Sequence, residues 1–136
     1  MANTLNDLTE MLLSAAVKAG ADSADAMAVR GQSLSIDVRA GQLEQAERSE
    51  GTDIGLRVLV GQQQASVSAS DISTSTITEM ATRAVAMARE APEDPYIGLA
   101  DPDAHARSWD VKALELCDPA AEPSPEALQE DAQRAE

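Results

Sequence analysis

"GQLEQAERSEGTDIGLRVLVGQQQASVSASD", residues 41–71, decides the fold. Ile54, Leu56, Val58 and Val60 recur at every second position, and Ala65, Val67 and Ala69 alternate with Ser66, Ser68 and Ser70. A period of two puts successive side chains on opposite faces, so both runs read as strands with one packed and one wet face. Gly61-Gln62-Gln63 turns the chain between them, and Glu50-Gly51-Thr52 reads as a turn before the first. The preceding run, "LEQAERS", is more polar, with only Leu43 and Ala46 able to pack. Gly55 marks a bulge or a close backbone approach. The stretch holds no histidine, cysteine or aromatic ring, so it offers a surface rather than reactive groups.

Upstream, Leu34, Ile36 and Val38 alternate with Ser33, Ser35 and Asp37, and "ADAMAVR" (24–30) is a further short strand. Ala40-Gly41-Gln42 supplies the next turn. Short connections between four or five strands make an antiparallel meander. Two helices flank it. Leu5, Leu8, Met11, Leu12, Ala15, Ala16 and Ala19 fall on one helical face, with Thr4 and Asp7 as a capping box and Gly20 as the stop. Ile77, Met80, Ala81, Ala84, Val85 and Ala88 repeat the pattern behind a Ser73 N-cap. The expected class is α+β: a four- to five-stranded antiparallel meander with two amphipathic helices packed on one face.

Beyond residue 90 the texture changes. "EAPEDPYIGLADPDAHARSWD" (90–110) has three prolines and no period, reading as an extended arm pinned by Tyr96 and Trp109. "ALELCDP" (113–119) reads as a short strand. Ser124-Pro125-Glu126 opens a last helix, Pro sitting at the first helical position. That helix has little apolar face, so the expected division is an α+β domain over 1–90 and a Pro-rich acidic arm over 91–136 leading towards a further domain.

The charge narrows the partners. The 136 residues carry 10 basic and 24 acidic side chains, a net charge of −14, and residues 93–136 supply −9 of it. Attraction to phosphate backbones or anionic lipid is therefore not expected, and neither direct nucleic-acid binding nor a membrane role is assigned. The N-terminus has no basic segment followed by an apolar run, and the chain reads as a soluble cytoplasmic protein. Cys117, the one cysteine, reads as a small buried residue.

Chemistry is sparse. One His and one Cys leave too few ligands for a closed zinc site, and Asp101, Asp103 and His105 in "DPDAHA" read as solvated turn residues. The serines 66, 68 and 70 have no histidine near them in sequence. No catalytic, metal or cofactor-binding residue is assigned. The candidate peptide or partner contacts are Arg57, Gln64, Ser66, Ser68 and Ser70, on the wet face of the last two strands. A serine-rich strand at a sheet edge can accept an extended peptide or another subunit.

The runs "KAGADSADA", "LSIDVRAGQLEQAERSEGTDIGLRVLVGQQQASVSASDIS", "RAVAMAREAPEDPYIGLAD" and "ELCDPAAEPSPEALQEDA" resemble, in this order, the N-terminal region of the TldD/PmbA family. The resemblance is nearest to the PmbA branch, also called TldE and described as a modulator of DNA gyrase. It implies a zinc-peptidase system in which a TldD-type subunit carries H-E-x-x-x-H, while the PmbA-type subunit lacks it and serves as a non-catalytic partner. Implied partners are a TldD-type subunit in a heterodimer, or self-association, with unfolded peptide as substrate for peptide maturation and antitoxin degradation. Zinc is implied only in the TldD-type partner. Two other readings stand beside it: an acidic protein-binding regulator of DNA gyrase, and the N-terminal part of an active metallopeptidase.

Overall fold

The computed structural model describes residues 4–136. In order these form α1 (Leu5–Ala19), β1 (Ser23–Arg39), β2 (Gln42–Val60), β3 (Gln63–Ala69), α2 (Thr74–Glu90), a 3-10 turn (Pro102–Ala104) and α3 (Pro125–Ala135). The sheet order is β1-β2-β3. The α+β class is as expected, with three antiparallel strands in place of four or five. The two short segments on either side of Gly31 join into one 17-residue β1, and those on either side of Gly51 into one 19-residue β2. Glu50-Gly51-Thr52 is strand, not turn. Glycine permits a turn, but its backbone is equally at home extended. Local composition therefore could not separate the two.

The chain forms two compact units: one contains the residues up to Gly31 with Gly51–Ala100, the other Gln32–Glu50 with Asp101–Glu136.

In the first unit, Leu8, Leu12 and Ala16 of α1 meet Ile54, Leu56 and Val58 of β2 and Ile77, Met80, Ala81, Ala84, Val85 and Ala88 of α2. All twelve are buried, and Ala65, Val67 and Ala69 of β3 pack against them half-buried. Alanines on both helices allow close approach at interior packing density. The caps follow the sequence. The Thr4 hydroxyl accepts from the Asp7 amide at 3.1 Å, and the Asp7 carboxylate accepts from the Thr4 amide at 2.7 Å. Gly20 ends α1 at φ 99°, a left-handed conformation that glycine adopts without a Cβ penalty. Ser73 Oγ accepts from the Thr76 amide at the start of α2.

β3 pairs with Ile54–Val60 without a break, from Ile54 opposite Ala69 to Val60 opposite Gln63. Gly55 lies opposite Ser68, and a Cβ there would meet only the Val67 carbonyl oxygen at 4.0 Å. The expected bulge or close approach is therefore absent from this pairing. The Asp22 amide donates to Leu59 O at 2.9 Å, and its carboxylate accepts from the Gly61 amide at 2.7 Å, tying the α1–β1 connection to the β2–β3 turn. The Gln63 side-chain amide donates to the Ala91 carbonyl at 2.6 Å, satisfying an orphan group at the end of α2.

In the second unit, Leu34, Ile36 and Val38 are half-buried, while every residue of β2 from Gln42 to Glu50 is exposed. α3 starts at the expected N-cap, Ser124 Oγ accepting from the Ala127 amide, and buries no residue fully. Residues 113–119 form no strand: 111–115 is a run of turn, with Glu115 at φ 49°. The Asp110 carboxylate accepts from the Lys112 and Ala113 amides, a local alternative to ladder pairing. Cys117 is exposed rather than buried. Trp109 is 73% exposed. Tyr96, in the first unit, is 94% exposed, so neither aromatic pins the arm.

Candidate functional site

The five candidate contact residues share the outer face of the first unit's sheet, away from the helices. In the β2–β3 register Arg57 faces Ser66, Gly55 faces Ser68 and Leu59 faces Gln64. Arg57, Ser66 and Ser68, with Asp25, Met27 and Gly55, line a shallow groove of about 430 Å3. Arg57 is held there by a two-point bond to Asp25, Nε to Oδ1 at 2.9 Å and Nη2 to Oδ2 at 2.6 Å. The fork of the guanidinium matches the two carboxylate oxygens, and this hydrogen bonding holds the arginine's proton more firmly than usual. Arg57 is consequently anchored rather than free to reach outward. Ser70 lies apart from the groove, donating to the Asp53 carboxylate at 2.5 Å.

Gln64 departs from the wet-face picture. It is half-buried, its Oε1 is buried without a hydrogen-bond partner, and Leu59 opposite is only 4% exposed. The outer face is thus apolar at one end and hydroxylated at the other. Sequence reasoning had missed Asp25, Asp53, Met27 and Leu59. The signal for Leu59 was its place in "RVLV", where an apolar residue occupies a position the alternation assigns to solvent. Asp25 and Met27 carried the same alternation in "ADAMAVR".

β3 is a sheet edge. Its seven residues, Gln63 to Ala69, contain no charge, proline or glycine, and its register has no bulge. Natural edges are commonly blunted by such devices, and this one is not. A larger cleft, about 530 Å3, lies between α1 and α2 on the opposite side of the unit, lined by Met11, Ala15, Ile77 and three threonines. Asp7, Glu10 and Lys18 line it as well.

Asp101, Asp103 and His105 bracket the 3-10 turn, where the Asp101 carboxylate accepts from the Asp103 amide and the His105 amide donates to Pro102 O. Among the described residues no group of three His, Cys, Asp or Glu side chains is placed to hold a metal. The single His and single Cys of the chain, both exposed, do not fit a zinc site. No described helix is long and apolar enough to cross a membrane.

Residues 24–88, from β1 to the end of α2, match the family model "PmbA/TldA metallopeptidase domain 1". The chain carries the first domain of the TldD/PmbA family. This TldD/PmbA domain is 37% identical over 101 residues to a "Metalloprotease PmbA homolog" from Haemophilus influenzae, covering 74% of this chain and 22% of that protein. Its fold is similar to that of TldE from Thermococcus kodakarensis, with TM-score 0.70, 17% identity, and coverage of 93% of this chain and 28% of that one. It is also similar to a modulator of DNA gyrase from Bacteroides thetaiotaomicron, with TM-score 0.71, 16% identity, and coverage of 79% and 24%. The chain therefore spans about a quarter of the length of these relatives.

Proposed function

We propose that this PmbA/TldE-like metallopeptidase-family domain belongs to a non-catalytic subunit of a TldD-type zinc peptidase, where it helps form the chamber that admits unfolded peptides. The observation that carries the reading is the unprotected edge of β3 beside the Arg57–Ser66–Ser68 groove, within the segment that matches the family. Backbone N–H and C=O groups along such an edge can pair with an extended chain whatever its sequence, which suits selection for unfolded rather than specific substrates. Ser66 and Ser68 project small hydroxyls that admit many side chains, and the Arg57–Asp25 ion pair sets one fixed polar group beside them. The zinc and its activated water belong, in this reading, to the TldD-type partner, and the site is cytoplasmic.

The test is mass-spectrometric cleavage of an unfolded peptide by the intact native protein, alone and mixed with a zinc-loaded TldD-type partner. The proposal requires cleavage in the mixture to exceed that of the partner alone, with none from this protein by itself. Cleavage by this protein alone would instead make it an active peptidase.

A further inference from the structure

The turn joining β1 to β2 is made of Ala40 and Gly41, both left-handed at φ 50° and φ 70°. Positive φ at both positions is what a two-residue loop between antiparallel strands requires, and the turn presents its two amides to a carboxylate. The Ala40 amide donates to Glu136 Oε1 at 2.6 Å, and the Gly41 amide donates to Glu136 Oε2 at 2.7 Å. Gly41 O in turn accepts from Gln133 Nε2 at 2.9 Å. Successive backbone N–H groups converging in this way form a concavity for an anion. Gln133 of α3 and Glu136, the cap residue just past its end, lie three residues apart and reach the turn together.

The same unit is fastened again further along. Leu34 of β1 and Leu128 of α3, with Gln32, Glu122 and Pro123, line a space of about 260 Å3. The Glu122 carboxylate accepts from Gln32 Nε2 at 3.1 Å and from Arg48 Nη1 at 3.3 Å. A two-stranded ribbon by itself is marginal in water, so what holds α3 against it decides whether one apolar row is covered.

We infer that the β1–β2 turn is a carboxylate receptor filled in cis by Glu136, making α3 a latch that a competing carboxylate can open. The ligand class is a carboxylate presented by a side chain or a chain end, the chemistry that backbone nests capture in peptide recognition. The inference stands apart from the subunit reading and draws only on residues of the second unit.

The test follows the Ala40 and Gly41 amides by 15N NMR in the 136-residue chain, in Glu136→Ala and Glu136→Gln, and through a sodium acetate titration matched with sodium chloride. In the parent chain both amides lie downfield and exchange about tenfold or more slowly than in Glu136→Ala. Acetate, and not chloride, returns them downfield saturably in that variant. Should Glu136→Ala loosen the whole ribbon, Glu136→Gln, with one neutral acceptor oxygen, must still show a partial upfield move. Tip amides identical in parent and variants overturn the inference, and so does a Glu136→Ala spectrum that acetate leaves unchanged.

Discussion

β2 is one strand with two lives. From Gln42 to Glu50 no residue is even half-buried, whereas between Ile54 and Val60 four of seven are buried. β1 neighbours β2 in the sheet. Only the second half gains β3 on its other side and two helices over its inner face. The comparison shows that pairing sets backbone conformation here, while apolar burial decides where stability resides. α2 and α3 repeat the lesson. Both begin with a serine cap accepting from the third amide, yet α2 buries six residues and α3 none.

The contrast can be broken most forcefully at the core. Leu56→Ala, or Leu12→Ala in the same core, should cost about 2–5 kcal/mol in urea unfolding, because the surrounding helices cannot collapse into the space. Leu43→Ala, at a strand position 47% exposed, should stay within about 0.5 kcal/mol. Equal losses at Leu56 and Leu43 would remove the distinction between the halves. Next in size, Ser73→Ala should cost about 1 kcal/mol, as should Thr4→Ala, each leaving first-turn amides without their cap.

A smaller effect, of opposite sign, is expected at the outer face. Gln64→Leu removes a buried acceptor that has no partner, and should raise stability by up to about 1 kcal/mol. A loss there would mean that the amide makes a needed bond. The smallest effect is acid lability. Hydrogen bonds at Thr4, the backbone one first, hold Asp7 below 3.8, and the Thr76 hydroxyl and then Ser73 do the same for Asp71. Carboxylates with depressed folded pKa values contribute stability that is present above the unfolded value and lost as pH falls through the folded one. Melting temperature should therefore drop as pH falls below about 4, and Asp7→Asn with Asp71→Asn should flatten that drop. Both groups are fully exposed, so the change is slight.

Much of this was legible beforehand, for local reasons. Thr4, Asp7, Gly20, Ser73 and Ser124 announce helix ends through bonds made within a few residues, and the alternation from Ile54 to Ala69 separates an inner row from an outer one. The number of strands was not legible, because Gly31 and Gly51 sit in extended backbone where a turn would suit them equally. Nor was the fate of Leu59, Gln64 and Cys117, whose burial depends on packing rather than on neighbours in sequence. At the candidate site the serine row was readable from its period. The Arg57–Asp25 pair joins residues 32 positions apart, and only the sheet brings them together.

The most direct test of the account is hydrogen exchange of the intact native protein with and without the proposed TldD-type subunit and an unfolded peptide. Amides from Gln63 to Ala69 are predicted to gain protection when the complex forms, while those from Gln42 to Glu50 stay as they are. Unchanged exchange along β3 in a complex that cleaves peptide would contradict the proposal that this edge is where the domain meets its partners.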